Sequence, residues 1–233
     1  MNNLIVTTSW DDGHILDKRL AELLIKYGIK GTFYVSPKHR QFARKELLSD
    51  KDIVNLSKNF EIGGHTISHP TLTKISHKSA EMEIINSKKY LENLLDEEIV
   101  SFCYPKGKYN YKISNLVKKA GFKYARTTQR HKFALANNNL ENATSIHTFR
   151  QYKDIFNIAN ISQWRASEFL KNMDWEHLAK KVFDGLEKGD IYHLWGHSWI
   201  IDKKDEWNKL ERVLSYIGGR LDISYLENKD LVK

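Results

Sequence analysis

Two carboxylates stand side by side at Asp11-Asp12, inside the stretch Thr8-Ser9-Trp10-Asp11-Asp12-Gly13-His14. Neighbouring carboxylates repel, so such a pair is tolerated where a cation or a shared proton offsets the repulsion. Taken alone, Asp-Asp-Gly also reads as a turn whose side chains bond their own backbone. Further along, His65 and His69 are four residues apart in His65-Thr66-Ile67-Ser68-His69. One helical turn would bring both imidazoles to the same side. One added carboxylate then completes a His-His-Asp set with a coordination position left for water, as catalytic zinc and similar divalent ions use. Without the carboxylate the two histidines read as satisfied surface residues. A third histidine, His197, lies in the aromatic run His193-Leu194-Trp195-Gly196-His197-Ser198-Trp199. It is either packed against indole or, opposite an activated water, the general acid that a near-neutral pKa suits. Cys103 falls inside an apolar strand pattern, where a thiol is inert packing. No Gly-x-Ser-x-Gly elbow offers a serine nucleophile.

Positioning such residues requires elements that end together. The apolar run Leu4-Ile5-Val6 reads as a buried strand leading to the aspartates, and 15–27 as a helix with Leu16, Leu20, Leu23, Leu24 and Tyr27 on one face. Gly28 stops that helix, and 31–35 reads as the next strand. Ser49-Asp50-Lys51-Asp52 opens a helix to 58 with a capping-box pattern. A short strand at 60–64, a long helix at 79–95, a strand at 100–104, a helix at 113–120 and a strand at 122–125 follow. The Asn-rich stretch 131–160 lacks periodicity and is expected to be loop with one short strand near 145–149. Helices are expected again at 162–172 and 175–188, a strand at 190–195 and a last helix at 206–217. Strand–helix alternation favours a parallel sheet flanked by helices, closed as a barrel or open and doubly wound. No Gly-x-Gly-x-x-Gly or phosphate-loop pattern follows the first strand, which argues against nucleotide binding.

In parallel α/β folds the chemistry sits at the carboxyl ends of the strands. The aspartates follow the first strand and the His65/His69 pair the 60–64 strand. Pro105-Lys106-Gly107-Lys108-Tyr109 follows the 100–104 strand, Arg126 the 122–125 strand, and Gly196-His197 the 190–195 strand. Titratable groups thus collect where the fold rule places a site.

With 233 residues and 41% hydrophobic content, the chain is expected to be a single domain over 1–233 with a substantial core. No apolar stretch of eighteen residues suggests a transmembrane helix. The N-terminus carries no basic region or signal core, and the lone cysteine suits a reducing compartment, so a cytoplasmic location is expected. The net charge of +8 comes from scattered lysines without a basic run or nucleic-acid signature, and no nucleic-acid partner is expected.

Together the motifs resemble the polysaccharide deacetylase family. Ser9-Trp10-Asp11-Asp12-Gly13 is similar to its Thr-Phe-Asp-Asp-Gly motif, and His65-Thr66-Ile67-Ser68-His69 matches its His-(Ser/Thr)-x-x-His motif. Phe102-Cys103-Tyr104-Pro105-Lys106-Gly107 is similar to Phe-Arg-x-Pro-x-Gly, and Leu194-Trp195-Gly196-His197 to the final Leu-x-x-His-like motif. The resemblance spans residues 5 to about 217. It implies a distorted (β/α) barrel of about seven parallel strands with the site at their C-terminal ends. It also implies one divalent ion, zinc first, with cobalt, nickel, manganese or iron as alternatives. Asp12, His65 and His69 would be the ligands, Asp11 the general base acting on a water activated at the metal, and His197 the acid. The substrate would be an N-acetylated (or O-acetylated) saccharide. Tyr104, through its backbone N–H, would serve the oxyanion; Pro105, Gly107, Arg126, Trp10 and Trp195 would shape or contact the substrate site, with Trp199 a further stacking surface. Related barrels cleave cyclic amides, and a non-catalytic glycan binder could keep the fold; both are alternatives. Cys103 replaces the family's arginine beside the base, and Arg126 is either its substitute or a surface arginine. The aspartate that tunes the acid histidine is not identifiable, Asp174 and Asp154 being the candidates.

Overall fold

A computed structural model of the chain describes residues 3–149 and 154–232. Residues 150–153, within the stretch expected to be loop, lie outside the described residues. β1 (Leu4–Asp12) is longer than the apolar run suggested and includes both aspartates as its last two residues. It leads to α1 (Asp17–Lys26), β2 (Thr32–Val35), α2 (Asp50–Ser57), β3 (Glu61–Gly64), α3 (His77–Leu95), β4 (Ser101–Cys103), α4 (Tyr111–Lys119) and β5 (Tyr124–Arg126). β6 (Ile146–His147), α5 (Ile155–Ile161), α6 (Ala166–Asn172), α7 (Trp175–Asp184), β7 (Ile191–Gly196), α8 (Ser198–Lys203), α9 (Trp207–Ile217) and β8 (Ile223–Tyr225) complete the order. Among the described residues no helix is long and apolar enough to cross a membrane.

The strands form one parallel sheet in the order β5-β4-β3-β2-β1-β7-β6, with β8 paired to β1. On β1, residues Ser9–Asp12 pair with β2 while Leu4–Val6 pair with β8, so the two share one edge. The other edge takes β7 through Ile5–Trp10. Beyond β5 the sheet curls round through irregular chain: Arg126 bridges to Asn142, and the N–H of Ser145 donates to His193 C=O beside β6. The result is the distorted (β/α) barrel with helices outside.

Strand side chains alternate, and the alternation sorts the core. Val6, Trp10, Phe33, Ile62, Phe102, Tyr192 and Leu194 belong to the large apolar cluster that includes the helices' inner faces. The other parity faces the barrel interior and is largely polar. There Thr7 donates to Asn228 at 3.0 Å, Ser9 Oγ lies 2.8 Å from His193 Nε2, and Thr32 donates to Glu61 at 2.6 Å. This interior layer ends at the top in Asp11, Cys103 and Arg126. Trp10, expected as a sugar-stacking surface, instead has the outward parity. It is fully buried in the apolar layer with its Nε1–H on Thr8 Oγ1, so it cannot reach a substrate.

Candidate active site

The strand ends converge on one cavity of about 480 Å³, walled by Asp11, Asp12, His65, His69, Trp195 and His197 together with Gln41, Tyr104, Lys106, Lys108, Thr128, Gln129, Arg130 and Trp199. The backbone beneath it is strained. Asp12, Thr66, His69 and Lys106 all adopt positive φ (85, 65, 56 and 57°), which non-glycine residues hold only where the surroundings over-determine it. Positive φ at Asp12 breaks the strand alternation. Asp11 therefore keeps the interior parity while Asp12 swings toward the histidines.

Asp12 is nearly buried, and its two oxygens have different surroundings. Oδ2 accepts the indole N–H of Trp199 at 2.8 Å. Among the described residues Oδ1 has no hydrogen-bond partner, and neither has Nε2 of His39, although three imidazole nitrogens lie round that oxygen: Nε2 of His39 at 3.4 Å, of His69 at 3.5 Å and of His65 at 3.7 Å. Four ligand atoms held tetrahedrally at about 2.0–2.1 Å from an ion stand roughly 3.3–3.4 Å from one another, close to these separations. His65 Nδ1 lies 2.7 Å from the carbonyl of Cys103, which places the proton there and turns the Nε2 lone pair toward Asp12. Burial holds His65 below the usual imidazole range and His69 down at about 3, so both are neutral near pH 7, as ligation requires. Burial alone would raise the Asp12 carboxyl, but the surrounding imidazoles, His39 first, hold it well below the carboxylate range. An orphaned anionic oxygen beside the neutral His65 and His69 imidazoles is a donor set that a borderline divalent cation fits.

Asp11 has a different partner. Arg126 is completely buried, and its Nη2 donates to Asp11 Oδ1 and, at 2.9 Å, to Cys103 Sγ. Its guanidinium also stacks over Trp195, 4.5 Å from the ring centroid. Arg126 is thus a buried ion-pair residue, and the surface reading of it is wrong. Burial pushes Asp11 upward, but the charge and hydrogen bond of Arg126, together with the His65 and His197 imidazoles, outweigh it and keep the carboxyl below its ordinary value. The Cys103 thiol is pushed well up by burial and stays protonated. Asp11, His65 and Cys103 also come close enough to suggest a ligand group, but the guanidinium already occupying that corner disfavours a second cation. His197 closes the opposite wall with Nε2 3.9 Å from both Asp11 Oδ2 and Asp12 Oδ2.

Several expected residues have other roles. The N–H of Tyr104 is spent within the sheet on the carbonyl of Arg126 at 3.3 Å, so it is not available to an oxyanion. The turn that follows uses the N–H groups of Gly107 and Lys108, and that of Lys106, which lines the cavity, has no backbone partner among the described residues. Pro105 and Gly107 shape the turn: a Cβ on Gly107 would lie 2.0 Å from Thr128 Oγ1. Asp174 caps α7 and pairs with Lys209 at 2.7 Å, and Asp154 pairs with Arg130 at 2.7 Å. The rings round His197 are those of His147 and Trp195, each at a centroid distance of 5.7 Å, and Trp199 at 5.8 Å. His39, on the turn after β2, is the site residue that motif reading misses. The strand-end rule points to it once it is applied to β2 as well.

Known proteins agree with this architecture. The sequence profile of the family described as polysaccharide deacetylase matches residues 2–125. The Bacillus subtilis protein YxkH, a candidate polysaccharide deacetylase, is 27% identical over 126 residues, covering 53% of this chain and 44% of its own. The chain thus spans less than half the length of that relative. The deacetylase PplD of Streptococcus pyogenes, solved with acetate, superposes with a TM-score of 0.55 and 24% identity over 59% of this chain and 62% of its own. A candidate polysaccharide deacetylase from Mycobacterium smegmatis shares the fold over 99% of this chain and 89% of its own, with a TM-score of 0.65 and 16% identity. With its two aspartates and histidine pair inside the matched region, the chain belongs to the polysaccharide deacetylase family.

Proposed function

We propose that the chain is a divalent-metal-dependent hydrolase that removes N-acetyl groups from a saccharide. The observation carrying this reading is the orphaned Asp12 Oδ1 among three imidazoles, beside an ionised Asp11 and His197 in one cavity. Asp12, His65 and His69 would hold the ion. Once bound, a zinc ion or a similar borderline cation lowers the pKa of water and polarises the acetyl carbonyl.

The chain's own groups divide the proton transfers. Asp11 stays ionised across neutral pH because Arg126 faces it, and it accepts a proton from the attacking water. The guanidinium holds the carboxylate in one orientation, so Oδ2 is the oxygen directed toward His197 and the cavity. The Lys106 N–H is the backbone donor available to the carbonyl oxygen as negative charge develops there, a contribution typically worth about 3–4 kcal/mol. His197 delivers a proton to the nitrogen as the C–N bond breaks, and acetate and a free amine leave. Trp195 and Trp199 supply apolar walls for a sugar ring. The acetate held by the streptococcal deacetylase of the same fold is the product this reaction releases.

Purified protein should take up one divalent ion per chain and release acetate from an N-acetylated saccharide in a panel of chito-oligosaccharides, nucleotide sugars and simple N-acetyl sugars. Asp11→Asn should keep the ion and lose activity by about 10²–10⁴-fold, as removal of a general base does. Full activity in Asp11→Asn, or unchanged ion content in His65→Ala, would contradict the assignment.

A further inference from the structure

His65 and His39 approach the same oxygen from comparable distances, yet their backbone partners set them to opposite tautomers. His65 has Nδ1 2.7 Å from a carbonyl oxygen, which can only accept, so Nδ1 carries the proton and Nε2 the lone pair. His39 is the reverse. The backbone N–H of Gln41 donates to its Nδ1 at 3.2 Å, so Nδ1 carries the lone pair and Nε2 the proton. That Nε2 is 3.4 Å from Asp12 Oδ1 in a side chain with no solvent exposure. A protonated nitrogen donates to a carboxylate and does not ligate an ion.

We infer that His39 is a positioning residue that donates Nε2–H to Asp12 Oδ1 and so aims the remaining lone pair of that oxygen at the ion. The inference rests on the metal reading above and deepens it. A carboxylate oxygen has room for both a donor and an ion, and Trp199 already occupies Oδ2. At 3.4 Å the bond is not closed, and among the described residues neither His39 Nε2 nor Asp12 Oδ1 has another hydrogen-bond partner; a shift of a few tenths of an ångström brings the pair within the N–H···O range. The imidazole has little freedom to turn away. It stacks on His69 at 4.2 Å and 25°, and Phe42 lies at 4.7 Å and 37°. Asp12 is thereby held by a donor on each oxygen, one from the turn after β2 and one from α8.

The test is metal affinity and cobalt spectroscopy rather than turnover. Zinc is titrated into metal-free protein against a competing chelator, and each variant is also loaded with Co²⁺. His39→Asn keeps an acceptor for the Gln41 N–H but removes the donor to Asp12; its zinc affinity should fall about 10–100-fold, the usual effect of losing a partner of a metal ligand. His39→Leu, which fills the same apolar space, should fall equally and substitutes if the asparagine variant fails to fold. His39→Gln can place an amide N–H at the Nε2 position and should restore most of the loss, with wild-type Co²⁺ visible bands. Unchanged affinity in both His39→Asn and His39→Leu overturns the inference. So does a glutamine variant as weak as the asparagine one with altered Co²⁺ bands, because a nitrogen ligand would then have been lost. Wild-type protein that takes up no ion overturns the metal reading itself, a result distinct from either.

Discussion

At the residue scale, the positive charge beside Asp11, the proposed base, comes from the strand next to the one where the resemblance implies an arginine. Cys103 holds that position and Arg126, paired to it in register on β5, reaches the same carboxylate. A parallel sheet permits this because adjacent strands place like-parity residues side by side. The arrangement makes Asp11 depend on one completely buried partner. Removing a single member of a buried pair strands the other charge, which typically costs about 3–5 kcal/mol. Arg126→Met should therefore lower unfolding free energy by about that amount in urea titrations, and Asp11→Asn in the same background should recover part of it. Activity should report the same dependence. Without the arginine the upward push of burial on Asp11 is opposed only by the His65 and His197 imidazoles, so the acid limb of the kcat/KM–pH profile should move to higher pH. An unmoved limb would show that Arg126 supports the fold but not the base.

At the element scale, what could be read in advance follows from how local the signal was. Ser49 and Asp52 announce a helix start by chemistry confined to four residues, and they form the reciprocal cap of α2. Ser49→Ala should accordingly cost about 1 kcal/mol, measurable as a lowered urea midpoint. Gly28 and Gly121 follow the ends of α1 and α4 for the same local reason, whereas the helix expected at 175–188 stops early, at Asp184 with Gly185 as its cap. Much of the helix and strand order, the two aspartates and the histidine pair were legible from short-range periodicity or spacing, although no helical turn joins His65 to His69: Thr66 and His69 take positive φ instead. The polar barrel interior was not. Thr7, Ser9 and Glu61 find their partners across the sheet or at the C-terminal end of the chain, and nothing near them in sequence indicates it. Likewise β8 exists only because β2 leaves Leu4–Val6 of β1 unpaired. The helix α5 lies where an Asn-rich composition suggested loop. Gly107 is a case where a residue type was noticed but its reason was tertiary. Its φ of +63° and the 2.0 Å approach of Thr128 Oγ1 leave no room for a methyl group. Gly107→Ala should cost about 1–3 kcal/mol and should raise KM more than it lowers kcat, since it displaces the wall at Thr128 rather than the proton-transfer groups.

At the scale of the whole molecule, a polar interior makes stability depend on pH from both sides. His147 and His193 are buried, and burial depresses each to about 3 from an ordinary value of 6.5. Below pH 6.5 the unfolded chain takes up protons that the folded chain refuses, so stability is complete above 6.5 and is lost progressively as pH falls toward 3. Glu61 acts in the opposite sense. Buried at the lower end of the barrel beside Thr32 and the N–H of Lys229, it is raised from 4.5 to about 7. Between those values the folded state holds a proton that the unfolded state releases. Its contribution is therefore intact below 4.5 and is lost as pH rises through 7, reaching about 3 kcal/mol for a shift of this size. Glu61→Gln separates the two effects. The amide oxygen can accept from Thr32 and Lys229 as the carboxyl does, and the amide cannot ionise. The variant should unfold with nearly the wild-type urea midpoint at pH 4.5, and with a clearly higher one at pH 8, in metal-free protein so that ion binding does not enter. The acid-side loss should remain in both proteins, because its histidines are untouched. A variant less stable than wild type at pH 8 would mean that the folded barrel stabilises the Glu61 carboxylate, and would remove the alkaline half of this account.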